Sequence, residues 1–136
     1  MKTLSACICS ADGGEPLLKT LNAAAGLFSE LIVMVPKENR TALENARHFT
    51  QAIFPYENQE PLCAFLQAAF ENASGDYRFW LDEGDTFEPD AESGLRTLRR
   101  ALRPDIAGVC VKHDFLSGAP GTSAHYRYEL RAVKRG

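Results

Sequence analysis

Apolar residues along this chain gather in short runs and helical stripes that alternate from end to end. Leu4 to Ser10 is an apolar run of strand length, and Ser10-Ala11-Asp12-Gly13-Gly14 reads as a loop. Pro16 then stands where a first helical turn accepts it. Leu17, Leu18, Leu21, Ala24 and Ala25 follow at helical spacing, and Gly26 ends the helix. Leu31 to Val35 predicts a second buried strand, closed by Pro36. A polar helix is expected over residues 38–48, with Ala42, Leu43 and Ala46 as its buried face, and a short third strand over Gln51 to Phe54.

The clearest helical stripe comes next. Pro61 opens it, Leu62, Phe65, Leu66, Ala69, Phe70 and Ala73 share one face, and Gly75 caps it. Tyr77 to Leu81 reads as the fourth strand. A helix over residues 89–102 buries Leu95, Leu98 and Leu102 and turns Arg96, Arg99, Arg100 and Arg103 away. Ile106 to Lys112 predicts a fifth strand. In the tail, Tyr126, Tyr128, Leu130 and Ala132 alternate onto one face of a half-exposed antiparallel strand. Ser117 to Ser123 is rich in Gly, Ser and Pro and is expected to be a loop over the sheet end. Alternating strands and helices imply parallel strands with helices on both faces. The expectation is a three-layer α/β/α domain over residues 1–136, with a mostly parallel, Rossmann-like sheet and a C-terminal antiparallel strand.

Bulk properties narrow the class. At 136 residues the chain encloses one core, and 45% hydrophobic with 24% charged residues is ordinary for a globular protein. No apolar run reaches the length of a membrane span. No signal-peptide layout opens the chain. Cys7, Cys9, Cys63 and Cys110 form no C-x-x-C pair and sit in apolar surroundings, which points to reduced core thiols and a cytoplasmic setting. His48, His113 and His125 have no zinc-ligand spacing to them. Charge is uneven. Residues 1–93 hold 6 Lys and Arg against 15 Asp and Glu, whereas residues 94–136 hold 9 against 3. An acidic sheet end facing a basic tail suits a metal with an anion, and two solvated faces explain it equally simply. A basic stripe for nucleic acid is not evident.

The chemistry concentrates in Tyr77-Arg78-Phe79-Trp80-Leu81-Asp82-Glu83-Gly84-Asp85, an apolar run ending in three carboxylates within four residues. Acids at the carboxyl end of a strand stand where open α/β sheets bind ligands. Crowded carboxylates repel unless a cation or hydrogen-bond donors intervene. Mg²⁺ is commonly shared between one or two carboxylates and substrate phosphates. A solvated acidic turn is the plain alternative. Glu83 is expected to face solvent, and Trp80 to be core.

One block carries a family likeness. Ala73-Ser74-Gly75-Asp76-Tyr77-Arg78-Phe79-Trp80-Leu81-Asp82 resembles the A-x-G-D-[WY]-x-x-W-L-D stretch of family-2 glycosyltransferases with the GT-A fold, which precedes their Asp-x-Asp signature. Leu4 to Ser10 resembles their opening strand, and Glu30 to Val35 their second. Tyr128 to Gly136 is similar to an R-L-F-R-R-G strand of one bacterial branch. The resemblance implies a nucleotide-diphospho-sugar donor, a glycan, lipid or protein acceptor, and Mg²⁺ or Mn²⁺. It implies Ser10, Asp12 and Asp82 at the nucleotide and Asp82 with Asp85 at the metal. Three features depart from the pattern. The second strand ends in Val35-Pro36-Lys37 without an acid, the first loop differs, and Gly84 stands where the second signature aspartate belongs, Asp85 following it. The family also continues into an acceptor-binding half with the catalytic base, and the resemblance therefore implies either a piece of a longer protein or one in which that half is reduced.

The expected function is therefore metal-dependent transfer of a sugar from a nucleotide donor. The alternative is a degenerate, non-catalytic module that binds a nucleotide or a protein. Asp12 equally suits an Asx-turn beside Gly13-Gly14. His113, Asp114 and His125 are the candidate bases, and Arg127, Arg131, Lys134 and Arg135 are cations that a diphosphate would meet. A receiver-like domain ranks last: Lys112 fits its lysine, but no acid follows the third strand.

Overall fold

The structure, a computed structural model, describes residues 1–57, 62–115 and 125–135. Its strands are β1 (Leu4–Cys9), β2 (Glu30–Pro36), β3 (Ile53–Tyr56), β4 (Tyr77–Asp82), β5 (Gly108–Phe115) and β6 (His125–Lys134). Its helices are α1 (Glu15–Ala24), α2 (Arg40–Arg47), α3 (Leu62–Asn72) and α4 (Ala91–Ala101). The strands form one sheet in the order β3-β2-β1-β4-β6-β5. Parallel ladders join β1 to β2 and β4, and β2 to β3, while β6 runs antiparallel between β4 and β5. This is the mostly parallel α/β sheet that the alternation predicts.

Helices cover both faces, so β1 and β2 read as unbroken apolar runs rather than alternating ones. On one face Ala6, Ile8, Val33 and Leu81 pack against Leu17 and Leu21 of α1 and Ala42 and Ala46 of α2. Leu4 and Tyr77 extend that layer to Leu95 of α4 and to Leu102 just after it. On the other face Cys7, Ile32 and Met34 meet Phe65, Ala69 and Ala73 near α3. Each fully buried Leu or Ile contributes about 1.5–3 kcal/mol relative to leaving it exposed.

Several boundaries differ from the sequence reading; β5, expected over Ile106 to Lys112, runs over Gly108–Phe115, and α4, expected over 89–102, over Ala91–Ala101. α2 begins at Arg40 because Asn39 caps it, its side chain accepting the Ala42 N–H at 2.9 Å. The third strand lies two residues later than expected, over Ile53–Tyr56. Thr50 holds the residues before it in a turn, its hydroxyl donating to Leu31 O at 2.8 Å and accepting Ala52 N–H at 3.0 Å. Pro55 is tolerated because β3 is an edge strand. Pro61 and the expected loop over Ser117 to Ser123 lie outside the described residues.

The alternation expected in the tail breaks. Tyr128 and Leu130 are exposed, but Ala132 is fully buried, and Arg131 beside it is also buried. The register explains this: Cys110 faces Leu130 while Val109 faces Ala132, so Arg131 is an extra residue in β6. Such a bulge bends the strand and re-aims a side chain.

Candidate functional site

The chain leaves β1 toward β2 on one side, and β4 later returns to pair with β1 on the other. Ligands of open α/β sheets bind in the crevice beyond the carboxyl ends of the strands at such a switch point. Two loops meet there, residues 10–14 after β1 and residues 82–85 after β4. β4 is an interior strand, with β1 and β6 as its neighbours.

Residues 82–85 form a tight turn, closed by Asp85 N–H donating to Asp82 O at 3.0 Å. Gly84 has φ +94°, the left-handed geometry that the third position of a type II turn requires. A glycine at the position of the second signature aspartate is thus what this turn demands. The turn rests on α1, with Gly84 N–H donating to Thr20 Oγ1 at 2.8 Å and to Pro16 O at 3.1 Å.

Glu83 does not face solvent. Its carboxylate accepts Ser10 Oγ–H at 2.5 Å, Gly13 N–H at 2.8 Å and Asp12 N–H at 2.9 Å. Burial alone would raise its pKa, but the hydroxyl of Ser10 and the amides of Asp12, Gly13 and Ala11 outweigh it and hold the carboxyl below the usual range. Successive amides of this kind form an anion-binding concavity, and here Glu83 fills it. Ser10 is fully buried and committed to Glu83, while the Tyr56 hydroxyl donates to its carbonyl. Asp12 is exposed and makes the expected Asx-turn, accepting Gly14 N–H at 3.1 Å.

Asp82 and Asp85 converge on one positive centre, the guanidinium of Arg131. Asp85 Oδ2 lies 3.1 Å from Nη1, and Asp82 Oδ2 lies 3.3 Å from Nη2. Asp85 Oδ2 also accepts the Asp82 N–H at 2.9 Å. Glu129 completes the ring: its Oε2 accepts from Arg131 Nε at 2.9 Å and lies 2.8 Å from Nη2. Nη1 further donates to Trp80 O at 3.3 Å, just past the last β4–β6 pair, Phe79 with Ala132. Burial would lower the Arg131 pKa, but the Glu129 hydrogen bond and the charges of Asp85, Asp82 and Glu129 prevail and raise it. The hydrogen bond from Arg127, joined by those from Arg131 and His113, holds Glu129 down at about 2.

His113 joins this cluster, with Nδ1 at 3.1 Å from Glu129 Oε2 and Nε2 at 3.6 Å from Asp85 Oδ1. Asp114 lies 3.8 Å from Lys112 instead, and the His125 side chain lies outside the described residues. Lys134 donates to Pro104 O at 2.6 Å and Arg135 to Ser74 O at 3.1 Å. Both therefore serve the chain away from this cluster. Trp80 is half-buried against Phe70, with ring centroids 5.9 Å apart.

Two clefts flank the β1 loop. One, of about 350 Å³, is lined by Cys9, Trp80, Asp82, His113, Arg127 and Arg131 among others. The other, of about 480 Å³, lies between Ala11 and the segment from Pro36 to Thr41. Cys9 is a poor nucleophile in its cleft, because burial and the Asp82 charge push its thiol up to about 11.

A divalent ion does not fit this donor set with Arg131 in place. Mg²⁺ demands near-octahedral oxygen ligands at short distance. Asp82, Asp85 and Glu129 are all bonded to the guanidinium. Among the described residues, no group of three or more His, Cys, Asp and Glu is placed to hold a metal ion. Sequence reasoning missed Glu83 and Glu129 and treated Arg131 as one exposed cation among several. One signal was available for Glu83: it follows Leu81 by two, and strand alternation sends both toward α1.

No protein-family model matches the chain, and no curated protein matches its sequence. Solved structures do match in fold. A mannosyltransferase from Pyrobaculum calidifontis, in complex with GDP-Man and Mn²⁺, superposes with a TM-score of 0.62 over 82% of this chain and 36% of its own, at 13% identity. A CMP:2-keto-3-deoxy-manno-octonic acid synthetase complexed with CTP gives a TM-score of 0.62 over 97% and 74%, at 12% identity. Glucosyl-3-phosphoglycerate synthase from Mycobacterium tuberculosis, with Mg²⁺ and UDP, gives 0.51 over 60% and 33%, at 14% identity. The chain spans about a third of the length of the matched transferases. The likeness is one of fold: a nucleotide-diphospho-sugar transferase fold of GT-A type. Among the described residues, no helix is long and apolar enough to cross a membrane.

Proposed function

We propose that this chain binds a nucleoside diphosphate linked to a sugar and serves as the donor-binding part of a glycosyl transfer to a glycan, lipid or protein hydroxyl. The observation that carries the reading is Asp82. It ends an interior strand beside the switch point and lines a cleft, in a fold whose solved examples hold UDP, GDP-Man and CTP. The nucleoside takes the cleft beside Pro36, Asn39 and Arg40. The sugar takes the cleft beside Asp82 and Trp80, and the diphosphate crosses the loop between them.

Each residue has a chemical task in that arrangement. Asp82, with its side chain 64% exposed, accepts hydroxyl hydrogen bonds from the ribose or sugar. Arg127, exposed at the mouth of the second cleft, meets phosphate charge. His113, held against Glu129, is the candidate base for the acceptor hydroxyl. Mg²⁺ or Mn²⁺ was expected at Asp82 and Asp85, and it accompanies the nucleotide in two of the fold's solved examples. No step here is routed through it, since both carboxylates contact Arg131.

A second reading is a non-catalytic nucleotide or protein-binding module. Two observations favour it: Glu83 fills the amides of the first loop, and Arg131 sits between the acids. Calorimetry with UDP, GDP and CDP, each with Mg²⁺, Mn²⁺ or EDTA, tests the proposal. A saturable heat with at least one nucleotide, weakened by Asp82→Asn, is the expected result. No heat under any condition ends the nucleotide reading. Binding without release of nucleoside diphosphate from any nucleotide sugar selects the non-catalytic module.

A further inference from the structure

We propose that the guanidinium of Arg131 occupies the place of a divalent ion, so that the Asp82–Asp85 pair has its cation supplied from within and takes no metal. The claim rests on the nucleotide reading only for its consequence, which is donor binding that needs no metal.

The geometry is that of a built cation site. Arg131 is only 5% exposed, and its donors reach Asp82, Asp85, Glu129 and the Trp80 carbonyl at 2.8–3.3 Å. A guanidinium stays charged at any working pH and presents five N–H donors in a rigid fork, which suits two or three carboxylates at once. The β6 bulge is what delivers it. With Arg131 as the extra residue, Ala132 enters the core on the α1 side, while Arg131 lines the cleft beside Trp80 and Leu130.

Displacing this group is costly for a metal ion. The guanidinium would have to leave a buried position, taking one of the donors of Glu129 and the side-chain donor of the Trp80 carbonyl with it. The Asp85 oxygen that meets Arg131 also braces the turn by accepting the Asp82 amide. Arg131, Asp85 and the turn therefore act as one unit. The compensating charge is single and fixed to the chain, rather than double and exchangeable.

Titration of the intact chain with Mn²⁺ alone, followed by the electron paramagnetic resonance signal of free ion, tests this without any nucleotide. The wild type is expected to bind no stoichiometric Mn²⁺ up to about 1 mM, the weak end of the affinity scale. Arg131→Met is expected to gain one saturable site per chain, and a further Asp82→Asn change to abolish it. Arg131→Lys keeps a positive charge and is expected to stay metal-free. A wild-type site of one Mn²⁺ per chain that Asp82→Asn removes overturns the proposal, as does a folded Arg131→Met that still binds none. If Arg131→Met does not fold, the wild-type and Arg131→Lys titrations decide. Loss of nucleotide binding on adding EDTA to the wild type would also overturn it. Absence of all nucleotide binding defeats the proposed function instead, and the role of Arg131 is then decided by the Mn²⁺ titration alone.

Discussion

Glu83 and Ser10, 73 residues apart, share a 2.5 Å hydrogen bond that ties the loop after β4 to the loop after β1. Removing the carboxylate leaves the Ser10 hydroxyl and two amides without their acceptor. Hydrogen bonds to a charged group contribute about 1.5–3 kcal/mol. Glu83→Ala is expected to cost about 2 kcal/mol in urea denaturation, and Glu83→Gln less. Amide exchange at Asp12 and Gly13 should accelerate in Glu83→Ala, because those N–H groups lose their partner.

The acids around Arg131 are not equivalent. Asp82 is 64% exposed, whereas Asp85 and Glu129 are 17% and 18% exposed. Solvent screens the first contact, so Asp82→Asn is expected to cost under about 1 kcal/mol. Asp85→Asn should cost about 1–3 kcal/mol, because the lost charge is largely shielded from water. Arg131→Met removes the buried cation shared by Asp82, Asp85 and Glu129 and should cost about 3–5 kcal/mol. Combining it with Asp85→Asn should cost less than the two losses added, by about 1 kcal/mol in a double-mutant cycle.

Acid should weaken the fold through Glu129. Its carboxyl drops from the usual 4.5 to about 2 in the folded chain, so the unfolded chain takes up the proton first. The stabilisation is fully present above pH 4.5 and is lost as pH falls toward 2. Glu83 and Glu30, both also held below the usual carboxylate range, act in the same direction. Denaturant midpoints measured across that window should fall steeply in the wild type and less steeply in Glu129→Gln.

Two glycines separate conformational strain from crowding. Gly84 has φ +94° and open space where a methyl group would stand, so Gly84→Ala should cost about 1–2 kcal/mol from backbone strain alone. Gly13 has φ +82°, and a methyl there would fall 2.5 Å from the Ala42 Cβ. Gly13→Ala should therefore cost clearly more, above about 2 kcal/mol, by the same thermal or urea measurement.

Sequence patterning exposed the parts of this fold whose causes are local. β1 and β2 are buried on both faces and announce themselves as apolar runs. The stripe of Phe65, Ala69 and Ala73 marks α3 just as directly. The site was half visible: the run from Tyr77 to Asp82 locates the acids, and strand order puts them inside the sheet. Their partners were hidden for a physical reason. Arg131 lies 46 residues beyond Asp85, and its aim depends on one extra residue in β6, which no periodicity reveals because a bulge resets the alternation it would be read from.

The place of β6 between β4 and β5 orders events at the ribosome. Synthesis delivers the amino-terminal segments first, so β1, β2 and β4 can pair while β5 still has no neighbour. The nascent sheet then carries a bare inner edge and a cluster of uncompensated negative charge until β6 slots in between.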